Sequence, residues 1–383
     1  MSAIRKKIGI IGGGQLGKMM ILEAKRLGFY IVILDPDKAC PAHSISDEHI
    51  VAGFDSTKGY HKLAGKVDVI TYEFEHINAD ALECLEEKGH LIYPSPISLK
   101  YIQNKFFQKK VLQGRGIPLP RFCVASSVRE ILEAGEEFGY PLMLKTMLGG
   151  YDGKGNALIK NAEGASKAFC KLGEVKNEIM VEEYIHINRE ISVIACRGID
   201  KTTVTYPIAE NIHRDNILDT TVVPAAVSHE VLDKAHLIAG QVMEVFEGVG
   251  TFCIELFVTE KDEIYVNEVA PRPHNSGHYT IEGCQTNQFE NHIRAITGLP
   301  LGSTDLTGAA VMVNLLGQED EGEAELLGLE EAYAEPCTHV HLYGKKKSKP
   351  GRKMGHFTAT GKTVEEALKR ADKARSILRV IGR

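Results

Sequence analysis

The 383-residue sequence contains no Cys-x-x-Cys spacing, no surplus of cationic residues and no apolar run near the ~18 residues of a membrane span. Its cysteines (Cys40, Cys84, Cys123, Cys170, Cys196, Cys253, Cys284, Cys337) are scattered, which argues against a zinc or disulfide framework and for reduced, buried thiols. With 45 Lys and Arg against 51 Asp and Glu, a formal charge of −6, the chain lacks the cationic field that would neutralise a nucleic-acid backbone, so no nucleic-acid partner is expected. The most apolar N-terminal stretch, Ile8 to Ile11, stops at Gly12-Gly13-Gly14 and is too short for a signal-peptide core; a cytoplasmic protein without membrane association is expected. Internal repeats and low-complexity tracts are also missing. What remains, 43% hydrophobic and 25% charged residues, is the composition of a folded chain of two to three domains.

The chain opens with an apolar strand (Ile8 to Ile11), a glycine turn, a helix with apolar residues at Leu16, Met19, Met20, Leu22 and Ala24, and a second strand, Tyr30 to Leu34. That is one βαβ unit of a parallel sheet. Strand Val67 to Tyr72, helix Ala79 to Lys88 and strand Leu91 to Tyr93 complete a first domain of about a hundred residues. A helix around Lys100 to Gly114 follows. Further on, strands are expected over Glu190 to Cys196, Thr203 to Ala209, Thr251 to Thr259 and Glu263 to Ala270, in mixed α/β domains without the regularity of a barrel. The acidic stretch Gln318 to Glu335 reads as surface, and Thr363 with Glu366 forms a capping box for a last helix.

Three features carry chemistry. Ile11-Gly-Gly-Gly-Gln-Leu-Gly17 satisfies Gly-x-Gly-x-x-Gly between strand and helix, with Asp35 at the end of the next strand. A helix N-terminus behind such a turn suits a phosphate, but no second half-site or hydride-transfer constellation accompanies it, so a nicotinamide dehydrogenase is the remote reading. Next, Thr251 to Thr259 and Glu263 to Ala270 flank a turn centred on Lys261-Asp262. Pairing Glu260 with Glu263 sets Glu255 opposite Glu268 and Leu256 opposite Asn267. Two carboxylates ~5 Å apart repel by roughly 3 kcal/mol at an effective dielectric near 20, which Mg²⁺ bridging to nucleotide phosphates would relieve, with Asn267 as a further oxygen ligand if the strand bends. Finally, Lys145 lies in the apolar strand Pro141 to Thr146, ahead of Leu148-Gly-Gly-Tyr-Asp-Gly-Lys-Gly-Asn156, a loop glycine-rich enough to be a lid over phosphates. Val181-Glu-Glu-Tyr-Ile185 then ends a strand with two acids.

A strand lysine, a glycine lid, a Glu-Glu-x-Ile strand end and paired carboxylates with Asn-Glu resemble the ATP-grasp superfamily. Within it, Ile11 to Gly17, Thr71-Tyr-Glu-Phe-Glu75, Gly149 to Gly155, Pro271-Arg-Pro-His-Asn-Ser-Gly-His-Tyr279 and Gly351-Arg-Lys-Met-Gly-His356 resemble the N5-carboxyaminoimidazole ribonucleotide synthetase family, end to end. The resemblance implies an α/β fold of ATP-grasp architecture. A doubly wound parallel domain would span 1–100, a small central lid domain 101–186 and a larger mixed α/β domain 187–383.

It also implies ATP and Mg²⁺ as cofactors, with Mn²⁺ as an alternative ion, 5-aminoimidazole ribonucleotide and bicarbonate as substrates, and a homodimer. ATP would be met by Lys105, Lys145, the lid residues Gly150, Tyr151, Asp152, Gly153, Lys154, Gly155 and Asn156, the adenine-side Glu182, Glu183, Tyr184 and Ile185, and by Glu190, His213, Asn267 and Glu268. The metal would sit on Glu255, Glu268 and Asn267. The ribonucleotide would meet Gln15, Leu16, Glu73, Asn275, Ser276, His278, Lys345, Arg352 and Lys353, and Lys145, Tyr151, Lys154, Arg272 and His274 would serve catalysis. The acceptor-amine base is left open among His274, His278 and released phosphate. The nearest rival is a sister ATP-grasp ligase that uses formate and another ribonucleotide amine.

Overall fold

The computed structural model describes residues 6–150, 155–172 and 178–383. Its first sheet is parallel, in the order Glu48–Ile50, Tyr30–Leu34, Lys7–Ile11, Val69–Tyr72, Leu91–Ile92. Because helices cover both faces, Ile8, Ile10, Ile31, Val32 and Ile33 are all buried, the continuous apolar pattern that parallel strands require. Lys7–Ile11 has neighbours on both sides that arrive by different crossovers, so the glycine turn at its C-terminal end lies at the topological switch point. Helix Gln15–Arg26 follows with Leu16, Met19, Met20, Ile21 and Ala24 buried. Leu22, expected on that face, is 51% exposed, and Ile21 is buried in its stead while the other four expected positions stay buried.

A second, antiparallel sheet runs Phe122–Ala125, Ile179–Glu183, Leu142–Thr146, Asn156–Ile159. The largest sheet has nine strands among the described residues and is antiparallel, beginning Ile264–Ala270, Gly250–Val258, Arg189–Arg197, Ala209–Arg214, Ile217–Val223. It continues through Ala309–Leu316 and Lys353–Gly361 to Thr338–Leu342, and the ninth strand, Thr203–Thr205, pairs off this path with Arg189–Arg197. Helix His229–Phe246 packs Val231, Ala235, Val242 and Phe246 against Val193, Phe252 and Val266 of this sheet. Another core joins the first sheet to the third: Phe289, Ile293 and Ile296 of helix Gln288–Thr297 pack among Ile8, Met20 and Ile31. At about 1.5–3 kcal/mol for each fully buried large apolar side chain, that contact fixes the two sheets relative to each other.

Several expectations are revised. The helix around Lys100 is two helices, Pro96–Gln103 and Lys105–Gln113, separated at Asn104, whose side chain accepts from the Phe106 and Phe107 N–H groups and so starts the second helix. The strand over Thr203 to Ala209 breaks, since Pro207 lacks a ladder donor, into Thr203–Thr205 and Ala209–Arg214. Part of the acidic stretch is strand Gly322–Leu327, paired with Lys347–Ser348 and Arg379–Gly382. Arg379 and Arg383 neutralise Glu319 and Glu325 there. Cys40, Cys196, Cys253 and Cys284 are buried as expected, Cys123 is half-buried, and Cys84, Cys170 and Cys337 are exposed. Thr363 caps the Glu366 N–H, but the Glu366 carboxylate reaches back to the N–H of Lys362 instead of Thr363. No helix of the described residues is long and apolar enough to cross a membrane.

Candidate functional site

A cavity of about 470 Å³ opens where the three sheets meet. Its wall combines Gln15 and Leu16, at the start of the first helix, with Lys105, Lys145, Gly150, Asn156, Glu182, Glu183, Tyr184, Ile185, Glu190 and His213. Glu255, Asn267, Glu268, Arg272, His274, Asn275 and Lys353 complete the expected residues that it gathers. Tyr151, Asp152, Gly153 and Lys154 lie outside the described residues.

The carboxylate hairpin shows how local geometry builds the site. Thr259 pairs with Glu263 around a three-residue turn with Asp262 at φ 58°, one residue longer than the turn read from sequence, so Leu256 faces Val266 rather than Asn267. Asn267 is then the extra residue of a β-bulge, and the bulge restores the register so that Glu255 faces Glu268. Lys145 Nζ donates to Asn267 Oδ1 at 3.2 Å, which places the bulged amide among the charges.

Those charges form two layers. Asn104 starts the helix that carries Lys105 and Lys109 one turn apart on the same face. Lys105 pairs with Glu268. Lys109, only 2% exposed, lies 2.8 Å from a Glu182 oxygen whose partner oxygen is 2.6 Å from Lys145 Nζ. Lys145 pairs in register with Met180, so Glu182 stands diagonally across on the same sheet face. Burial acts to raise the Glu182 pKa, yet the two lysines hold it down at about 2. Burial lowers the pKa of Lys109. Glu182, expected among the adenine contacts, thus directs its side chain to Lys109 and Lys145.

Burial, then the facing Glu268 carboxylate, pushes the Glu255 pKa up, whereas the Lys105 cation holds Glu268 below the ordinary carboxylate value. A partly exposed, mutually repelling carboxylate pair beside an amide oxygen is a donor set of hard oxygens suited to a divalent cation such as Mg²⁺. His213 lies 3.1 Å from Glu190, which raises its pKa above the ordinary value against the effect of burial.

On the other side, Arg272 holds Glu75 through two hydrogen bonds, at 3.0 and 2.7 Å. Burial and the neighbouring Arg272 cation keep the His274 pKa well below the ordinary value. Lys345 donates to Gln15 Oε1 at 2.8 Å, and Arg352 to the Lys347 carbonyl at 2.8 Å.

Three expected substrate contacts are placed differently. Glu73 turns into the glycine turn, where its carboxylate accepts from the Gly14 N–H and, at 2.6 Å, from the Gly17 N–H, while Asp35 accepts from Gly13 at 2.8 Å. The donors that a dinucleotide phosphate would need are therefore engaged by the chain's own acids. A Cβ on Gly12 or Gly14 would come within 2.4 or 2.5 Å of Glu73, so these glycines make room for a carboxylate. His278 is fully buried behind the wall, its ring 4.5 Å from that of His356. Ser276 is also fully buried, behind His274.

Lys109 and Glu75 were missed from sequence. The i, i+4 spacing of Lys105 and Lys109 was a signal for the first, and the position of Glu75 at the end of Thr71-Tyr-Glu-Phe-Glu75 for the second.

Comparison with known proteins divides the nine-stranded sheet between two matches. Family models match residues 5–103 as a ribonucleotide synthetase preATP-grasp domain, 110–289 as an ATP-grasp domain and 310–370 as a phosphoribosylaminoimidazole carboxylase C-terminal domain. The chain is 42% identical over 354 residues to the N5-carboxyaminoimidazole ribonucleotide synthase of Bacillus subtilis (strain 168), covering 92% of this chain and 90% of that protein. The crystal structure of N5-carboxyaminoimidazole ribonucleotide synthetase from Thermotoga maritima superposes with a TM-score of 0.90 at 46% identity, over 99% of this chain and 100% of that one. The Aspergillus clavatus N5-carboxyaminoimidazole synthase, solved with ADP and 5-aminoimidazole ribonucleotide, gives a TM-score of 0.89 at 34% identity, over 98% of each chain.

Proposed function

Because the chain belongs to the N5-carboxyaminoimidazole ribonucleotide synthase family of ATP-grasp enzymes, we propose that it carboxylates 5-aminoimidazole ribonucleotide on its exocyclic amine, using ATP and bicarbonate, in purine biosynthesis. The observation that carries this reading is one cavity that brings lysines and a facing carboxylate pair together with Arg272, His274, Asn275 and Lys353, His274 standing 3.5 Å from Glu255.

Bicarbonate oxygen attacks the γ-phosphorus of ATP, the bond to the bridging oxygen breaks, and carboxyphosphate and ADP result. This transfer needs positioning and charge neutralisation, which Lys105 and Lys145 provide. Glu255, Glu268 and Asn267 would hold Mg²⁺, which when bound neutralises phosphate charge. The backbone of Glu183 to Ile185 would hold adenine and Glu190 the ribose, while Gly150 and Asn156 flank the phosphate end. Carboxyphosphate then releases CO₂ and phosphate in a closed site that excludes water. The amine attacks CO₂, loses a proton and becomes the N5-carbamate. Arg272, His274, Asn275 and Lys353 hold the ribonucleotide and the carboxylate oxygens.

The family resemblance also supports a homodimer, which light scattering would read. The test of the activity is ADP and carboxylated product counted in one vessel, with one of each per turnover and neither without the ribonucleotide. Turnover with formate and a different ribonucleotide amine would overturn the assignment.

A further inference from the structure

Behind His274 runs a buried chain of small polar side chains that no step above uses. Thr221 Oγ1 donates to Asn211 Oδ1 at 3.0 Å, and Asn211 Nδ2 donates to Ser192 Oγ at 2.8 Å. Ser192 Oγ donates to Ser276 Oγ at 2.9 Å, and Ser276 Oγ lies 2.9 Å from His274 Nδ1. Thr221, Ser192 and Ser276 are fully buried and Asn211 nearly so, on Ile217–Val223, Ala209–Arg214, Arg189–Arg197 and the turn after Ala270.

A hydroxyl has one proton to give, so the direction of the chain propagates. The Asn211 amide fills an acceptor position on Ser192, Ser192 turns its proton to Ser276, and Ser276 has its own to give either to His274 Nδ1 at 2.9 Å or to Cys253 Sγ at 3.6 Å, of which the nearer nitrogen is the stronger acceptor. A second donor reaches the same nitrogen independently: the Ser276 backbone N–H, 3.3 Å from Nδ1. A backbone N–H cannot reverse.

We propose that Ser276, Ser192, Asn211 and Thr221 are positioning residues that fix His274 in the tautomer with its proton on Nε2, so that the ring presents an N–H donor to the cavity. Resting on the function proposed above, this assigns His274 the binding of an anionic oxygen of bicarbonate or the carboxylated intermediate, and removes it from the groups that could deprotonate the acceptor amine. The ring nitrogen of His274, Cys253 Sγ and a Glu255 oxygen lie within 4.8 Å of one another, a spacing open to a metal ion. His274 Nε2 stands 3.5 Å from the near Glu255 oxygen, and this tautomer turns a proton rather than a lone pair towards it.

The test is nuclear magnetic resonance of the whole protein carrying ring-¹⁵N histidine, with the His274 signals identified by their loss in His274→Asn. The expected spectrum has an unprotonated Nδ1 and a directly bonded proton on Nε2. A proton on Nδ1 would overturn the proposal. Ser276→Ala removes the hydroxyl donor, and Asn211→Asp, nearly isosteric and remote from the ring, gives Ser192 an acceptor and reverses the chain. Each leaves the Ser276 backbone N–H on Nδ1, so each is expected to populate the Nδ1–H form beside the parent tautomer rather than in its place and to lower carboxylation kcat by up to about tenfold, the worth of one hydrogen bond, with KM for ATP held within about twofold. If both variants keep the tautomer and the kcat of the parent, the chain has no positioning role. Should Ser276→Ala fail to fold, the parent spectrum and Asn211→Asp still decide. Loss of dependence on the ribonucleotide would refute the proposed function while leaving the spectrum intact.

Discussion

Glu182→Gln tests the buried charge layer beneath the phosphate end. The substitution keeps shape and removes one negative charge, leaving Lys109 and Lys145 side by side without the carboxylate that joins them at 2.8 and 2.6 Å. Two routes give its cost. A carboxyl that ionises near 4.5 in the unfolded chain and about 2 in the fold contributes about 3 kcal/mol to stability. Removing one partner from a buried ion pair costs about 3–5 kcal/mol in general. Because the folded pKa is depressed, the contribution is complete above pH 4.5 and disappears as the pH falls through 2. Urea unfolding followed by far-ultraviolet circular dichroism should therefore show the variant about 3 kcal/mol less stable at pH 7, narrowing to about 1 kcal/mol at pH 3. A gap below about 1 kcal/mol at pH 7, or one that does not change with pH, would refute the reasoning. The same variant should bind ATP more weakly, because Lys145 loses the carboxylate that aims it.

Glu268→Gln should abolish Mg²⁺-dependent ADP formation. Its stability should stay within about 1 kcal/mol of the parent, because relief of the Glu255 repulsion is offset by loss of the Lys105 pair; ordinary Mg²⁺ dependence would remove Glu268 from the metal site. Lys145→Ala should eliminate ADP formation altogether, whereas His274→Ala should raise ADP per carboxylated product above one; equal loss of both products in the His274 variant would refute the division of roles between Lys145 and His274. Gly14→Ala places a Cβ 2.5 Å from Glu73 Oε1 and should cost about 1–3 kcal/mol in thermal or urea unfolding, and an unchanged midpoint would show that the glycine turn does not depend on Glu73.

Short apolar runs bounded by turn residues, together with helical spacing, were sufficient for Tyr30–Leu34, for the βαβ unit and for the existence of the carboxylate hairpin, because those elements depend on which local residues are apolar. The facing of Glu255 and Glu268 was also legible, though by two offsetting errors: the turn is one residue longer than expected, and the bulge at Asn267 takes the extra residue back. Turn length and bulge are settled by how the strand packs against Arg189–Arg197 and the Lys105–Gln113 helix, which no hairpin pattern contains.

The partners of charged groups were not legible at all. Gly-x-Gly-x-x-Gly predicts an anion at a helix N-terminus, and the motif is right about that; only the fold shows that the anion is Glu73, 56 residues further along the chain than Gly17. Lys145 was readable as a cation in an apolar strand, but Lys109 and the Glu182 side chain that flank it come from a different helix and a neighbouring strand. Sequence alone determined which segments bury an apolar face and which residue types the chemistry could draw on. Tertiary structure decided which charges neutralise each other and which face the cavity, because Coulomb and hydrogen-bond energies depend on separations of a few ångströms that chain order does not encode.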